Sequence, residues 1–485
     1  MISRRVVAAA TNDDKYLVQL CSEEVREVVE AAVSRHATVR KHVRNLRRLP
    51  SMYVSARDSS RLRRIDGVCD VIRVRQHAAH LLDEHAARPM GAWWHADRLN
   101  QDLLPLDGDD SRRGNGSGVN IFVLDTGLDT THPEFLGDDS REVRNVASFV
   151  DGDEWQWWPE VGWTTSPPQN WTALLNNDLH GHGTMTSATA AGGTLGTAPK
   201  ANVYHARVLN ENGWGDNEWS ILALDALAEL LSIIEEPSVV SLSFGDECDR
   251  GDVAYCRRNN PQALAIESIV DDFGVAVVVS AGNDADDGCF YLPQAATKAI
   301  SVGASAVDDK VAPFSNYGSC VDLVAPGVLV PVARASLLPP DDDGIYALAD
   351  GTSFAAPAVA GALAHYSQLL GRAPTAEIFD LLANAATRGV LTQAQPLAET
   401  TCPKNDRLLR TPASYETPPR FADFDFHRLD MADLCPLPLD RPTWPPLNLV
   451  EDSHKPRLLG AKVLALSALF LGIFFAALGG RRRRH

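Results

Sequence analysis

Val119-Asn-Ile-Phe-Val-Leu-Asp125-Thr-Gly127 is the stretch on which the fold turns, a run of apolar and β-branched residues that ends on an acid and then a glycine. Three runs of the same kind follow: Val239-Val-Ser-Leu-Ser-Phe244, Val275-Ala-Val-Val-Val-Ser280 and Ala299-Ile-Ser-Val-Gly303. Ala/Leu-rich stretches such as residues 220–234 lie between them. Strands that are apolar on both faces and alternate with helices predict an α/β fold, a parallel sheet with helices on both faces. Such sheets bind at the carboxyl ends of their strands, where Asp125 stands.

Two further motifs follow Asp125-Thr126-Gly127 along the chain. Gly181-His182-Gly183-Thr184 opens an Ala-rich stretch, and Gly351-Thr352-Ser353-Phe354-Ala355-Ala356-Pro357 opens another. The order Asp, His, Ser has a chemical reading. A serine hydroxyl is a weak nucleophile until a histidine removes its proton, and a buried carboxylate holds the imidazole in the right tautomer and stabilises its cation. Glycines flank each motif because backbone and substrate approach closely there. A serine at a helix N-terminus also gains amide donors near a developing oxyanion.

At these residues the sequence resembles the subtilisin-like serine proteases, most closely the proteinase K and aqualysin branch, over about residues 13–412. The resemblance implies that Asp125 is the orienting acid, His182 the general base and then acid, and Ser353 the nucleophile. It implies that Asn283, in Val279-Ser-Ala-Gly-Asn283-Asp, supplies an oxyanion amide. Gly213-Trp214-Gly215 and Ser243-Phe244-Gly245 resemble the two strands that clamp an extended peptide through its backbone. The Ser280-Ala281-Gly282 wall and Tyr291 imply an apolar or aromatic residue before the cut bond. No acidic residue stands at the matched pocket positions, so a basic requirement is not indicated. Catalysis needs no cofactor on this reading. Asp322 matches a calcium ligand that would act with backbone carbonyls as a structural site, and Cys289 matches the disulfide partner of Cys320. The chain departs from the family at Met185, where a second histidine is usual, and at His180, where asparagine is common. It also departs in residues 151–178, a long insertion holding Trp155, Trp157, Trp158, Trp163 and Trp171, expected to pack on itself.

Residues 13–78 read as a small α/β unit: a strand Tyr16–Leu20, a helix from about Glu23 to Leu46, a strand Met52–Ala56 and a last strand Val71–Arg75. The resemblance makes it an inhibitory propeptide of ferredoxin-like order, with residues 79–90 as linker and maturation region and residues 91–412 as catalytic domain. That order brings Cys21 and Cys69 near each other, and Cys248 and Cys256 form a plausible local pair. Residues 36–75 carry eleven Lys/Arg against three Asp, which suits docking on an acidic partner within the same molecule.

The whole chain of 485 residues has a net charge of −18. That balance argues against nucleic acid as a partner, since phosphate binding needs basic surface. Residues 413–457 are proline-rich and aperiodic, a stalk. Within residues 458–480, Val463–Gly480 has no charge and as a helix would span about 27 Å, close to a bilayer core. It runs into four arginines in residues 481–485, a cytoplasmic tail by the positive-inside rule. The apolar stretch Val6–Ala10 is shorter than a secretory signal core, yet the eight cysteines and the sequons at Asn115 and Asn170 favour an extracellular or lumenal catalytic domain. The expectation is a serine endopeptidase made as a membrane-anchored zymogen, its partners being protein or peptide substrates and its own propeptide. The alternative is a catalytically silent subtilisin-fold ectodomain that binds peptides or acts as a scaffold.

Overall fold

In the computed structural model, residues 14–411 are described apart from 35–38, 47–48, 57–58, 61, 80–82, 87–92, 109–113, 151–154, 159–161, 164–177, 249–253, 337–343, 372 and 394–406. The expected stalk, membrane helix and tail lie outside the described residues, as do Cys402, Cys435, Asn170 and Trp171. Among the described residues no helix is long and apolar enough to cross a membrane.

The N-terminal unit begins with β1 (Asp14–Leu20) and α1 (Arg26–Ser34), followed by β2 (Val39–Asn45), β3 (Ser51–Ala56) and β4 (Val68–Arg73). The sheet order is β2-β3-β1-β4 with every pair antiparallel, the ferredoxin-like order. The helix expected to reach Leu46 stops at Ser34. Residues Val39–Asn45 pair with β3 instead, so their backbone groups are satisfied across the sheet, where the basic, β-branched sequence suits a strand better than a helix. Alternate residues of β1 and β3, among them Val18, Met52 and Val54, bury one face against Val29 and Val33 of α1. The Cys21–Cys69 disulfide joins the end of β1 to β4.

Two short strands carry the chain out of this unit. β5 (Gln76–Ala79) and β6 (Asp83–Ala86) both pair with the main domain. The main domain opens with α2 (Trp94–Leu99). Its Arg98 grips Asp309 in a buried two-point ion pair, Nε to Oδ1 at 2.7 Å and Nη2 to Oδ2 at 3.1 Å.

The elements that build the centre are, in chain order, β7 (Asn120–Asp125), β8 (Val143–Ser148), β9 (Trp155–Trp158), β10 (Gly162–Trp163), α3 (His182–Ala191), β11 (Asn202–Arg207), β12 (Trp214–Asp216), α4 (Asn217–Leu231), β13 (Ser238–Leu242), β14 (Phe244–Glu247), α5 (Pro261–Phe273), β15 (Ala276–Ser280), β16 (Tyr291–Leu292), β17 (Ile300–Ser305), β18 (Lys310–Val311), β19 (Leu323–Pro326), β20 (Val330–Ala333), β21 (Tyr346–Asp350), α6 (Thr352–Leu369) and α7 (Thr375–Ala385). The order β8-β11-β7-β13-β15-β17-β19 is parallel throughout, and β9 and β10 extend it antiparallel at the β8 edge. Residues 155–158 and 162–163 of the tryptophan insertion thus continue the sheet by backbone pairing. Every residue of β7, β13, β15 and β17 is buried, as strands covered on both faces must be. The core cluster joins these strands to alanines of α3 and α6, whose small side chains let the helix backbones lie close to the sheet.

A separate short sheet, β12-β5-β14-β16, puts the exit strand of the N-terminal unit between two strands of the main domain. The sheet β20-β21-β6 does the same for the next segment on one side only.

Candidate active site

Asp125 ends β7, His182 opens α3 and Ser353 lies in the first turn of α6, so three chain ends converge at the carboxyl edge of the sheet. All three side chains are fully buried. Asp125 Oδ1 lies 2.7 Å from His182 Nδ1. The same carboxylate accepts from the Thr126 amide at 2.8 Å and, through Oδ2, from the Thr186 hydroxyl at 3.2 Å. Burial by itself pushes the Asp125 carboxyl up, but the His182 imidazole and these donors outweigh it and hold the group below the usual carboxylate range. Ser353 Oγ donates to the Ser243 carbonyl at 3.2 Å, and Ser243 Oγ donates back to the Ser353 carbonyl at 3.0 Å. His182 Nε2 has no hydrogen-bond partner among the described residues. The Ser353 hydroxyl is therefore held by Ser243 and not by His182, a looseness common in catalytic sites before substrate binds.

Asn283 follows β15. Its Oδ1 accepts from both the amide and the hydroxyl of Thr352, at 3.0 and 2.9 Å, which fixes the amide plane beside Ser353. The wall Ser280-Ala281-Gly282 is buried throughout. Gln294, which the sequence reading did not single out, braces it to the facing strand: its Nε2 donates to Phe244 O at 3.1 Å and to Ser280 O at 2.6 Å.

Asp178 was missed as well, hidden at the edge of the tryptophan insertion. This fully buried carboxylate accepts from the hydroxyls of Thr126 and Thr184, each at 2.8 Å, and from the amides of Gly181 and Thr184, each at 2.8 Å. It ties the acid's loop to the start of the histidine's helix. Gly183 packs so tightly there that a Cβ would lie 2.1 Å from the Gly127 carbonyl. His205 of β11 completes the floor, accepting the Gly127 amide at Nε2 (3.0 Å), and burial pushes its pKa down to about 4.

The expected peptide clamp is filled by the chain itself. β5 pairs antiparallel with β12, Ala78 opposite Trp214 and His77 opposite Gly215, and with β14, Ala79 opposite Phe244 and Ala78 opposite Gly245. The Ala79 amide donates to Gly213 O at 2.9 Å. Lys15 of the N-terminal unit reaches two carboxylates here, 3.3 Å from Asp216 and 3.1 Å from Glu218, and Arg75 donates to the Glu247 backbone carbonyl at 2.9 Å. Tyr291 sits on β16, one strand out from β14, with its hydroxyl 3.2 Å from Asp286. Burial, with the nearby carboxylates of Asp284 and Asp286, raises its phenol above the ordinary range.

The family model described as the subtilase family (Peptidase_S8) matches residues 116–405. The chain belongs to the subtilase family. This subtilase is 34% identical over 304 residues to an extracellular serine proteinase of Thermus sp. (strain Rt41A), covering 62% of this chain and 63% of that one. It is 31% identical over 312 residues to alkaline serine exoprotease A of Vibrio alginolyticus, covering 64% of this chain and 49% of the relative. The chain thus spans about half to two thirds of the length of these curated relatives. Among solved structures it is similar to a cold adapted subtilisin-like serine proteinase, at 29% identity and a TM-score of 0.52, covering 66% of this chain and 98% of that one.

Met185, in place of the usual histidine, is buried with Phe354 of α6 and Val330, Val332, Ala347 and Ala349 of the β20–β21 pair, so it packs rather than ionises. His180 lies between His182, with ring centroids 6.1 Å apart, and Gly213, where a Cβ would be 2.7 Å from its Nε2. Burial and the neighbouring His182 lower its pKa. All three expected disulfides, Cys21–Cys69, Cys248–Cys256 and Cys289–Cys320, are formed. Asp322 is buried, with Oδ2 accepting from the Ser301 amide at 3.0 Å. Among the described residues no group of three His, Cys, Asp or Glu side chains gathers to hold a metal. A cation at Asp322 would find one carboxylate and depend on backbone oxygens for the rest.

Proposed function

We propose that this subtilase is a serine endopeptidase made as a zymogen, with the N-terminal unit as its inhibitor. The observation that carries the reading is the buried 2.7 Å contact between Asp125 and His182 at the mouth of a cleft already holding an extended peptide strand. His182 Nε2 takes the Ser353 hydroxyl proton as Oγ attacks the scissile carbonyl. Asp125 keeps Nδ1 protonated and stabilises the imidazolium that forms. The Asn283 amide and the backbone amide at the start of α6 receive the oxyanion. His182 then gives its proton to the leaving amine, and a water molecule repeats the sequence on the acyl-enzyme.

Backbone pairing on β12 and β14 holds the substrate in extended form, so substrates are unfolded or looped segments of proteins. The Ser280–Gly282 wall and Tyr291 favour an apolar or aromatic residue at the cut. Calcium enters this reading only as a structural ion at Asp322. A membrane anchor formed by Val463–Gly480, with the catalytic domain on the extracellular or lumenal side, accords with three disulfides among the described residues. A silent peptide-binding ectodomain would have no need of the buried Asp125–His182 pair.

Expression of the full chain beside its Ser353→Ala variant tests the reading. The wild type is expected to cut itself between Ala79 and Asp83, read by N-terminal sequencing of the large fragment, while the variant stays whole. Equal cutting of both would assign the cleavage to another protease.

A further inference from the structure

We propose that the Cys21–Cys69 disulfide is a redox switch on the inhibitor: a dithiol reductant that opens it releases the N-terminal unit from the cleft and so turns the protease on. The three disulfides among the described residues differ in one respect that decides their chemistry. Cys21 and Cys69 are both exposed. Cys248, Cys256, Cys289 and Cys320 are all buried, none more than 7% exposed. Thiol–disulfide exchange needs a thiolate to reach a sulfur, so the exposed bond is the one a reductant opens while the catalytic domain keeps its two.

The exposed bond also sits where opening it reaches the cleft. β1 and β4 pair antiparallel from Tyr16 opposite Arg73 to Leu20 opposite Val68. At one end of this pair Cys21 and Cys69 are joined, and the Cys21 amide donates to Gly67 O at 3.0 Å. The other end is the docking end. There Lys15 of β1 meets Asp216 and Glu218. Just past β4, the Asn217 amide donates to Arg75 O at 2.8 Å and the Arg75 amide to Asn217 Oδ1 at 3.3 Å. β5 follows at once with Gln76. The two strands that the disulfide staples are therefore the two that hold the unit on the catalytic domain and feed its cleft strand.

The unit depends on that staple. β1 to β4 span Asp14–Arg73, short of the roughly 70–80 residues below which one core seldom suffices. β4 is an edge strand with β1 as its one neighbour in the sheet. Gly67, just before it, has φ 94°, and a Cβ there would lie 2.8 Å from Val29 of α1, so the stapled turn is where sheet and helix press together. The bond joins residues 48 apart and encloses α1, β2 and β3. Losing this closure lowers the unit's folding equilibrium constant on the order of 10²- to 10³-fold. Docking must then supply the order that the bond provided, and the hold on the cleft weakens.

In the exchange a reductant thiolate attacks one cysteine Sγ, the S–S bond breaks, and the other cysteine leaves as a thiolate that takes a proton. The reductant's second thiol then attacks the mixed disulfide and displaces the first cysteine. Two electrons pass from the dithiol to the bond, so Cys21 and Cys69 end as thiols and the reductant as a disulfide. In an oxidising compartment the bond stays closed and the self-cut unit stays docked, whereas reducing surroundings undock it. This rests on the protease and inhibitor reading above.

The experiment titrates dithiothreitol against the self-processed full chain with its N-terminal unit retained, beside a variant carrying Cys21→Ser and Cys69→Ser. Hydrolysis of a peptide p-nitroanilide reads activity, gel filtration reads the unit, and alkylation with peptide mass reads each cysteine pair. In wild type, activity should rise roughly tenfold or more in step with opening of Cys21–Cys69, as the unit leaves and with Cys248–Cys256 and Cys289–Cys320 still closed. The variant should be active from the start and insensitive to the reductant. Opening of Cys21–Cys69 with no release and no gain in activity overturns the switch, as does an equal response in the variant. A second reading needs neither the variant nor catalysis: in the whole Ser353→Ala chain, reduced after folding, hydrogen exchange over β1, β4 and β5 should quicken while β7, β13 and β15 stay protected. Unchanged exchange with Cys21–Cys69 verified open overturns the switch. If wild type never cuts itself, the protease reading fails separately and the exchange measurement alone decides the switch.

Discussion

The imidazole of His77 lies flat on the ring of Phe244, centroids 4.4 Å apart and planes 16° from parallel. His77 is 3% exposed, and Gly215 beneath it leaves the room, since a Cβ there would stand 2.7 Å from His77 Nε2. The side chain thus plugs the cleft while the backbone of β5 pairs on both sides. Removing the ring in His77→Ala should lose about 2–3 kcal/mol of burial and stacking, which is roughly a 30- to 140-fold weaker hold at 1.4 kcal/mol per decade. Gel filtration of the self-cut complex reads it: the variant should shed its N-terminal unit within the run while wild type retains it. Equal retention would mean that backbone pairing alone holds the segment.

Asp125→Asn keeps the shape of the acid but removes the charge that fixes the His182 tautomer. The expected loss is about 10⁴-fold in kcat, with KM little changed. Steady-state kinetics on a short chromogenic peptide measure it.

Asp178 predicts a stability effect before a catalytic one. Asp178→Ala strands buried donors from Thr126, Gly181 and Thr184. At about 1–3 kcal/mol for each group left unsatisfied, the loss should reach at least about 3 kcal/mol in urea unfolding of the Ser353→Ala chain, where self-digestion does not intrude.

The neutral His205 ring predicts acid sensitivity. Its pKa is about 4 in the folded protein, lowered first by burial, against an ordinary histidine value of about 6.5. Between those values the unfolded chain binds the extra proton, so stability is complete above pH ~6.5 and falls as pH drops towards 4. The fall should be on the order of 3 kcal/mol. His205→Gln, which keeps an acceptor for the Gly127 amide, should flatten that part of the profile in urea titrations at successive pH values. A variant that loses stability with pH as steeply as wild type contradicts the assignment.

The residues to which the chemistry is assigned were legible because their neighbours are constrained. Gly127, Gly183 and Gly351 mark places where backbones crowd, so Asp125, His182 and Ser353 stood out in short patterns, and the long apolar strands gave the parallel sheet. Asp178 and Gln294 were not legible. Each acts through hydrogen bonds to backbone groups distant in sequence, and an isolated Asp or Gln carries no local pattern for that. The overlong helix at residues 23–46 failed for a related reason. The strand after Ser34 exists because β3 offers it a partner, a long-range fact that local propensity does not contain. Cleft occupation by β5 was expected only in outline, and its register came from pairing with Trp214–Asp216 and Phe244–Gly245.

Labelling with a fluorophosphonate probe tests the central claim most directly, because the reagent reacts only with a serine activated by its neighbours. The self-processed chain, separated from its N-terminal unit, should take up one probe per molecule, at Ser353 by peptide mass, with no uptake by Ser353→Ala and strongly reduced uptake by His182→Ala. A folded, processed wild type that is freed of its N-terminal unit and stays unlabelled would contradict the account.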